Sequence, residues 1–456
     1  MPAGVTVAEE GSSPARPDTE VVFDPATYTR GVPFAALARL RRETPVAWVP
    51  EIPVLGWPEG PGFWLVLRHA DVESVLRRPE LFSSALGATQ IRDPATPQAL
   101  GYVRRMMLNM DPPEHSRLRR LLSRSFTPRA VARLEERIRG HARVICDRVL
   151  TGPRGECDFA KDLAADLPLL ALADILGVPE QDRWLLFDWS NRVIGYQDPD
   201  YASSAEFDPG TGTAMAREAL SVRPVPDGGG RMPDPRTREG MPDLYAYAHL
   251  LAEQKRRRPK GPGDDVMSIL LAQADEGGGR VSVAEFENMF WLFAVAGNET
   301  LRNGLPGACV ALLEHPRAQA ELRADPALLP AAADEMLRWW TPVMTFRRTA
   351  TADCELGGQP IRSGDKIVVS FTSANRDEAV FADPGRFDIR RYPNPHLVFG
   401  HGPHFCLGAH LARTQMRALF AEVLARTSSL AYAGPPSYLR SNFQRGVKRL
   451  PVAWTA

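Results

Sequence analysis

The spacing of apolar residues along the chain predicts a mainly helical protein with small β-sheets. Short β-type runs, such as 63–67, alternate with proline and glycine turns between residues 45 and 69. From about residue 116 to the middle of the chain the apolar residues recur at helical intervals, and they do so again over 407–427. We therefore expect helices to dominate the fold.

The longest apolar run predicts a single helix from residue 283 to about residue 314, beginning with a capping box and kinked in its second half by Pro306. Its middle is apolar on all sides, which predicts deep burial. The sequence Ala-Gly-Asn-Glu-Thr at 296–300 interrupts this run. A buried acid such as Glu299 costs free energy unless it is paired. The interruption therefore indicates either a functional site or a glycine-permitted kink with a salt-bridged glutamate.

Two stretches lack the helical pattern. Residues 1–20 are rich in proline, serine, glutamate and glycine, and we interpret them as a disordered N-terminal tail without a signal peptide. Residues 197–241 are dense in proline, glycine, aspartate and serine, which is typical of a flexible surface insertion. No linker divides the rest, so residues 21–456 are expected to form a single domain.

Composition narrows the function classes. The 456 residues carry 55 basic and 55 acidic side chains, and this formal net charge of zero gives no indication of a nucleic-acid partner. No segment approaches the ~18 apolar residues of a membrane span. The five cysteines are scattered and odd in number, which fits a reducing cytosol rather than a disulfide framework. We expect a soluble cytoplasmic protein.

One cysteine lies in a sequence that indicates chemistry. Residues 399–408 read Phe-Gly-His-Gly-Pro-His-Phe-Cys-Leu-Gly, and Cys406 immediately precedes the predicted C-terminal helix. Unpaired N–H groups and the positive end of a helix dipole favour thiolate over thiol. Because Gly402 and Gly408 lack a β-carbon, a flat ligand has room close to the backbone.

Two other interpretations of Cys406 stay open. A buried cysteine is usually inert core filling. The crowding of His401, His404 and His410 around Cys406 would also fit a zinc site. Zinc sites with four protein ligands commonly use paired ligand knuckles, however, and zinc would leave the glycines unexplained.

The spacing Phe-x-x-Gly-x-x-x-Cys-x-Gly over 399–408 resembles the haem-binding loop of the cytochrome P450 family. The resemblance covers roughly residues 20–455 and implies the P450 fold, in which a long central helix crosses a buried haem. It identifies Cys406 as the thiolate ligand of the haem iron. It also implies that Phe399, Gly402 and Gly408 contact the haem b cofactor.

In this family the central helix reads Ala/Gly-Gly-x-Asp/Glu-Thr, which matches 296–300. The resemblance implies that Ala296 and Gly297 leave room for dioxygen and substrate beside the haem. Thr300 would be the hydroxyl that stabilises bound dioxygen, and Glu299 the acid that relays protons from bulk water. These two residues are the expected catalytic groups.

A haem brings two carboxylates into the protein, and these need cationic or hydrogen-bonding partners. The family pattern His-x-x-x-Arg matches His115 and Arg119, which lie on one face of a predicted helix. Arg348 and His404 match the family's other two contacts to these carboxylates. The resemblance therefore implies that four groups from three distant segments meet at the haem.

The resemblance also implies a structural ion-pair network. Glu335 and Arg338 match the family's Glu-x-x-Arg, and Arg386 matches its third member. Taken alone, Glu-x-x-Arg is a common pair on one helix face. We expect the three residues to brace the haem loop rather than to take part in catalysis.

As a family member, the chain is expected to be a monooxygenase that hydroxylates an unactivated C–H bond with dioxygen and two electrons. Because the sequence has no flavin or iron–sulfur motif, the electrons are expected to come from NAD(P)H through a separate ferredoxin and ferredoxin reductase. We expect a monomer with a basic surface that suits an acidic ferredoxin; a merely solvated basic face is an equal alternative. The candidate residues are Arg104, Arg105, Arg117, Arg120 and Arg124.

Within the family, the sequence is similar to bacterial members that act on steroids, terpenoids or long alkyl chains. The expected pocket is apolar and contains the loop 84–108 together with Phe290, Phe293, Val343, Met344, Phe346 and Phe443. The family places its substrate-access helices at 197–241, so we expect this insertion to act as a lid. Its length makes a bulky or carrier-bound polyketide or peptide of secondary metabolism an alternative substrate.

Two functions of other kinds stay open. One is a haem-free recruitment or binding module, and the other is a peroxide-driven enzyme that needs no redox partner. The presence of Cys406, Glu299 and Thr300 argues against both.

Overall fold

Helices make up most of the fold, as expected from the apolar spacing. The computed structural model describes residues 16–94, 96–202, 209–229, 232–257, 265–275 and 277–456. The α-helices of these ranges are α1 Asp18–Phe23, α2 Phe34–Glu43, α3 His69–Arg77, α4 Pro97–Val103, α5 Glu114–Ser125, α6 Pro128–Val149, α7 Asp166–Leu176, α8 Arg183–Ile194, α9 Pro199–Ala202, α10 Ala214–Leu220, α11 Pro242–Arg257, α12 Val266–Ala272, α13 Val283–Ala296, α14 Glu299–Glu314, α15 Pro316–Ala324, α16 Leu329–Trp340, α17 Phe371–Ala374 and α18 Ala409–Arg426. None of these described helices is long and apolar enough to cross a membrane.

The strands are short and lie in small sheets. They are β1 Val46–Val49, β2 Phe63–Val66, β3 Phe82–Ser83, β4 Arg154–Asp158, β5 Thr345–Ala350, β6 Cys354–Leu356, β7 Gln359–Ile361, β8 Lys366–Ser370, β9 Ser429–Tyr432, β10 Ser437–Tyr438, β11 Val447–Arg449 and β12 Pro451–Thr455. The largest sheet has the order β1-β2-β8-β5-β3, in which β2 and β8 are parallel and the other neighbours are antiparallel. The others are β4-β12-β9, β6-β7 and β10-β11.

Two apolar clusters hold the central helices from opposite sides. In one, α6 packs along α18, and α16 packs on both α14 and α18; Leu305 and Phe420 are fully buried there. In the other, α8, α11 and α13 bury Trp189, Tyr247 and Phe290. Burial of one such side chain contributes roughly 1.5–3 kcal/mol. The helices α13 and α14 are therefore fixed in position by the core.

The predicted single helix over 283–314 is two helices, so the expectation of one continuous helix is wrong. The predicted capping box is present at the start of α13: the Ser282 hydroxyl accepts a hydrogen bond from the N–H of Glu285, and the Glu285 carboxylate accepts one from the N–H of Ser282. Gly297 and Asn298 separate the two helices although their dihedral angles stay in the right-handed helical region, and α14 continues through Pro306. Glycine weakens a helix, and the buried Asn298 donates from Nδ2 to Ser190 on α8 at 2.8 Å.

The predicted disordered tail ends too late in the sequence. Asp18, Thr19 and Glu20 lie in α1, so the expectation is wrong for these three residues. Arg39 of α2 donates from Nε and Nη2 to the Asp18 carboxylate at 2.7 and 2.6 Å. This ion pair ties the start of α1 to the fold. Residues 1–15 lie outside the described ranges.

Several described parts of the segment 197–241 are packed against the rest of the fold, whereas most of residues 221–229 are exposed. The helix α10 contacts α11, and α9 contacts α8. Ala216, Ala219 and Met241 are completely buried. Residues 203–208 and 230–231 lie outside the described ranges.

Glu335 and Arg338 of α16 form a buried ion pair. Arg338 donates from Nε and Nη2 to the two carboxylate oxygens of Glu335 at 2.7 and 2.8 Å, and neither side chain is exposed. Arg338 Nη1 also donates to the carbonyl of Asn375 at 2.8 Å. Such two-point pairing is the strongest arrangement of these groups.

The expectation that the Arg386 side chain is the third member of this network is wrong. Arg386 is exposed, and its carbonyl accepts from Arg338 Nη2 and Arg391 Nη2 at 3.3 and 2.9 Å. Arg391 supplies the second cation, with Nε 3.2 Å from Glu335 Oε2. The two arginines lie in an irregular loop, where no periodicity indicates which of them points inward.

Arg391→Ala is expected to lower the free energy of unfolding by about 2 kcal/mol, because it removes one of two cations from a buried carboxylate. Arg386→Ala is the matched control: the carbonyl remains, and the expected change is within about 0.5 kcal/mol. Denaturant unfolding followed by circular dichroism measures both variants. Equal losses of stability would contradict the exchange of roles between the two arginines.

Candidate active site

Cys406 is presented by a closed loop of irregular backbone. Its N–H donates to the carbonyl of Phe399 at 2.8 Å, and the short 3₁₀ turn Gly402–His404 lies within the ring so formed. The buried Phe399 side chain lies beside Arg413, whose guanidinium carbon is 4.5 Å from the ring centroid. The helix α18 begins three residues after the cysteine, at Ala409.

The two glycines of the loop serve different purposes. Gly402 has φ +68°, and a Cβ there would lie 2.4 Å from the carbonyl oxygen of Leu76 in α3. Gly408 has φ −87°, and a Cβ there would lie 4.0 Å from Cys406 Sγ. Gly402 therefore lets the loop dock on α3 in a conformation that other residues rarely adopt, whereas Gly408 keeps the space beside the thiol open.

The start of α18 is not sufficient by itself to bring the pKa of the Cys406 thiol below its ordinary value. Burial among protein atoms raises its pKa, against the opposing effects of the Gly408 N–H and the charges of Arg119 and Arg413. The Gly408 N–H at the start of α18 favours the thiolate, as expected, but burial has the larger effect and raises the pKa. The side chain nevertheless retains accessible surface. A metal ion that coordinates the sulfur displaces the thiol proton outright, so the thiolate depends on a bound metal.

The zinc alternative fails on geometry. His404 Nε2 lies 3.1 Å from the carbonyl of Met110, His401 Nε2 accepts from Arg77 Nε at 2.7 Å, and His410 pairs with a glutamate of α6. Across the described ranges there is no group of three or more histidine, cysteine or acidic side chains placed to hold a metal ion.

The four side chains expected to bind the haem carboxylates converge in the fold. His115 and Arg119 lie on α5, Arg348 on β5 and His404 in the cysteine loop. The rings of His115 and His404 have centroids 4.1 Å apart. Burial, then the charges of Arg119 and Arg348, lower the pKa of His115 to about 4. Burial, Arg348 and His115 lower the pKa of His404 to about 2, and burial lowers the pKa of Arg348 to about 10.

This cluster is suited to anions. His115 is 1% exposed, and neither of its ring nitrogens makes a hydrogen bond within the described part of the chain. Buried polar atoms without partners are rare in proteins. The nearby carboxylate of Asp111 already accepts from Ser83 and Ser84. Two carboxylates placed among the four side chains would satisfy His115 and balance the arginines, so the residues fit a haem held through Cys406.

A cavity with about 760 Å³ of empty space lies against the end of α13, where Ala296 and Thr300 line it. Thr300 Oγ1 donates to the carbonyl of Ala296 at 2.9 Å, so the hydroxyl oxygen keeps its capacity to accept a hydrogen bond. Gly297 faces the other way: a Cβ there would lie 2.9 Å from Leu172 Cδ1 on α7. Gly297 is therefore needed for packing rather than for room in the cavity.

Glu299 points into a buried hydrogen-bond network between α14, α8 and α9. Its carboxylate accepts from Tyr201 Oη at 2.6 Å and from Ser190 Oγ at 3.2 Å, and Arg302 Nη1 lies 2.9 Å away. Glu299 has no exposed surface, so it does not meet bulk water directly. Sequence reasoning missed Tyr201 and Ser190, because both partners come from elements about a hundred residues earlier.

Successive side-chain hydrogen bonds connect Glu299 to the cavity. Asn303 Nδ2 lies 3.5 Å from Glu299 Oε2 and donates to Gln444 Oε1 at 3.0 Å. Gln444 lines the cavity. Glu299 and Thr300, adjacent in sequence, therefore have different surroundings: the acid lies in the buried network and the hydroxyl on the cavity wall.

Three of the six expected pocket residues border this cavity. Val343, Phe346 and Phe443 line it, together with several residues of the loop 84–108. The other three lie elsewhere: Phe290 and Phe293 pack in the core cluster between α8, α11 and α13, and Met344 borders a different cavity. Since α13 is apolar all round, its sequence does not indicate which side faces the cavity. The lining residues that sequence reasoning missed are Asn109, Val193, Ile194, Arg236, Trp291, Leu292, Val295 and Gln444.

Comparison with known proteins agrees with this arrangement. The family model described as Cytochrome P450 matches residues 245–431. The chain is 36% identical to a steroid C26-monooxygenase of Rhodococcus jostii over 446 residues, which is 97% of this chain and 86% of the relative. It is 38% identical to a methyl-branched lipid omega-hydroxylase of Mycobacterium bovis over 423 residues, which is 92% of this chain and 90% of the relative. A solved cytochrome P450 of Mycobacterium marinum in complex with pseudoionone matches with a TM-score of 0.77 and 38% identity, covering 92% of this chain and 94% of that one.

The haem-free chain should lose stability as the pH falls below about 6.5, the ordinary pKa of histidine. The folded chain holds the pKa of His115 at about 4, so between these values the unfolded chain binds a proton that the folded chain does not. His115→Gln should therefore reduce the drop in unfolding free energy between pH 7.5 and 5 by about 2 kcal/mol. Denaturant unfolding at the two pH values measures this, with His249→Gln at the half-exposed surface as control. An unchanged pH dependence in His115→Gln would contradict the lowered pKa of His115 in the folded chain.

Proposed function

The chain belongs to the cytochrome P450 family, and from that premise we propose that it hydroxylates a steroid, a terpenoid or a branched lipid. Family membership makes it a haem-thiolate monooxygenase that uses haem b and dioxygen. The observation that supports the substrate class is the cavity, whose wall is mostly apolar and includes Thr300. The names of the Rhodococcus jostii and Mycobacterium bovis relatives, a steroid and a methyl-branched lipid hydroxylase, point to the same kind of molecule.

The residues around Cys406 would hold and orient the cofactor. Haem bound through Cys406 supplies the iron that activates dioxygen. The cluster of His115, Arg119, Arg348 and His404 would bind the two haem carboxylates. Arg348 and Phe346 lie two residues apart on β5 and hence on the same face of the strand. One strand therefore sets both the cofactor and a wall of the substrate cavity, which fixes the substrate relative to the haem.

We assign the handling of protons to Thr300 and Glu299. The Thr300 hydroxyl lies on the cavity wall, where it accepts a hydrogen bond from a bound group or water. Glu299 lies one residue earlier in a network closed to bulk water. A buried carboxylate surrounded by donors transfers protons over short distances without admitting bulk water to the pocket.

We propose a ferredoxin, supplied by its reductase, as the electron donor, and the outer face of α5 as its docking surface. Arg120 and Arg124 are exposed on this helix, one turn apart, and the same helix carries two residues of the haem cluster on its inner side. Complementary charge speeds the association of such partners. Arg117, another expected docking residue, is instead paired with Asp275 and Glu285.

We further propose that the protein is a cytoplasmic monomer. All five cysteines are unpaired in the structure, among them Cys146 and Cys309 in the core. Free thiols in this number suit a reducing compartment.

Oxidation of a bulky or carrier-bound polyketide or peptide is the second candidate. The observation in its favour is that the segment 197–241 reaches the cavity, because Arg236 is part of the cavity wall. Movement of this segment as a lid would admit a longer acyl chain than the cavity accepts as it stands.

Optical titration of the purified ferric holoprotein tests the substrate class. Testosterone, pseudoionone or a methyl-branched fatty acid should cause a low- to high-spin shift, because an apolar ligand beside Thr300 excludes water from the iron. An acyl chain on a carrier protein should cause none, and a shift with that ligand alone would favour the second candidate. Cys406→Ser should lose the thiolate-type spectrum; its retention would refute the ligand assignment.

Thr300→Ala should reduce the product formed per NAD(P)H consumed by up to about a hundredfold, the lower end of what a positioned proton-transfer group contributes. Thr300→Ser is the matched control, because it keeps the hydroxyl and should keep most of the coupling. Measurement of product, peroxide and NAD(P)H in one reaction separates coupling from rate. Wild-type coupling in Thr300→Ala would rule out the proposed role.

A further inference from the structure

A second cleft, with about 820 Å³ of empty space, lies between the start of α2, the end of α16 and residues 438–446. Of the residues that the structure describes, none assigned above to the haem or to proton handling lines this cleft. Gln444 lines both the cleft and the cavity beside Thr300. The cleft therefore lies behind one wall of the substrate cavity and has a lining of its own.

Arg376 belongs to this lining and lies over the faces of two aromatic rings. Its guanidinium carbon is 3.9 Å from the ring centroid of Phe34 on α2 and 4.1 Å from that of Trp339 on α16. A guanidinium that stacks on aromatic rings still has N–H donors at its edge. The two rings therefore orient Arg376 without using its donors.

The protein provides no acceptor for these donors. In the part of the chain that the structure describes, the Arg376 side chain makes no hydrogen bond and no ion pair, and the residue is partly exposed. Burial, followed by the positive charges of Arg445 and Arg338, lowers the pKa of Arg376 to about 9, although Glu335 acts in the opposite direction. A partly buried cation among other cations is costly until an anion pairs with it.

The lining as a whole has an excess of positive charge. Arg445 is engaged with the protein, since its Nη1 donates to the carbonyls of Trp339 and Trp340 at 3.0 and 2.9 Å. Glu314 is the acidic residue among the described lining residues, and it forms no ion pair with any described arginine. With Arg30, three arginines share the lining with one carboxylate.

The remaining lining is suited to a carbon skeleton. It includes the aromatic side chains of Trp340 and Tyr438 and the apolar side chain of Val32. The planar fork of a guanidinium matches the two oxygens of a carboxylate, and aromatic rings bury large apolar surfaces. An organic acid uses both features, whereas a small inorganic anion would leave the rings without a partner.

We propose that this cleft is a second binding site, which takes an organic carboxylate with a flat, apolar carbon skeleton, and that Arg376 binds the carboxylate group. The site is separate from the haem and does not depend on the substrate class proposed above. Because Gln444 borders both spaces, the occupant of the cleft lies next to a wall of the substrate cavity.

Isothermal titration calorimetry of the ferric holoenzyme tests the proposal with 2-naphthoate and its uncharged analogue 2-naphthamide. 4-Phenylimidazole, bound at the iron throughout, keeps both ligands out of the substrate cavity. The wild type should bind 2-naphthoate about tenfold more tightly than 2-naphthamide, the scale of a hydrogen bond to a charged donor. Inorganic phosphate should bind more weakly than 2-naphthoate, because it has no apolar skeleton.

Arg376→Met should bring the ratio of the two naphthyl affinities close to one. Arg376→Lys keeps the charge without the planar fork and should lower the ratio to about threefold; this variant keeps the test decisive should Arg376→Met fail to fold. Arg42→Met is the matched control. Arg42 lies on the same helix as Phe34, 3.7 Å from Glu378, and outside the cleft lining, so its ratio should equal that of the wild type.

A purely structural role for Arg376 predicts a different result. Loss of a packing residue would lower the thermal unfolding midpoint of Arg376→Met, and 2-naphthoate would leave the midpoint of the wild type unchanged. We expect instead that 2-naphthoate raises the midpoint of the wild type more than that of Arg376→Met, because a ligand stabilises the folded protein in proportion to its binding.

Equal affinities of the wild type for 2-naphthoate and 2-naphthamide would overturn this inference, as would a wild-type ratio in both Arg376→Met and Arg376→Lys. Phosphate binding as tight as that of 2-naphthoate would refute the organic ligand class. Each of these results would leave the thiolate spectrum and the spin shift with steroids or terpenoids untouched, so the proposed function would stand.

Discussion

One buried carboxylate, Glu335, determines where the loop that carries Cys406 can lie. It accepts from Arg338 and Arg391, from the backbone N–H of Asp388 at 2.8 Å and from Asn394 Nδ2 at 3.3 Å. The segment between α17 and the cysteine has little regular secondary structure, so its polar groups need partners other than a helix or a sheet. The Glu335 carboxylate of α16 accepts hydrogen bonds from groups of this segment. A charge at this depth is costly alone and stabilising only when fully paired, which makes the position of the loop specific.

The haem side of the same loop has the opposite electrostatic character. Around Glu335 both carboxylate oxygens have partners within the protein, whereas Arg119 and Arg348 lie near two buried histidines, His115 and His404, whose pKa values are strongly lowered. The first network holds the backbone in place without a ligand. The second leaves both ring nitrogens of His115 without a partner in the described part of the chain. Burial raises the pKa of the nearby Cys406 thiol.

On the far side of the cavity, the break between α13 and α14 separates two tasks. Thr300 lies on the cavity wall and Glu299 lies in a closed network, although they are adjacent in sequence. The segment 197–241 takes part in both regions: Tyr201 donates to Glu299 at 2.6 Å, and Arg236 lines the cavity. Any movement of this segment therefore acts on the acid and on the substrate wall at the same time.

The sequence by itself determined the features that depend on local spacing. The cysteine loop, the capping box of α13, the His115–Arg119 pair on one helix face and the Glu335–Arg338 pair all follow from residues a few positions apart. Only the tertiary structure decided that Arg391 rather than Arg386 reaches Glu335, that Trp291 rather than Phe290 faces the cavity, and that Tyr201 meets Glu299. A helix that is apolar all round has no preferred face, an irregular loop has no period, and partners a hundred residues apart share no local signal. Long-range packing settles these choices, because it alone determines which surfaces come together.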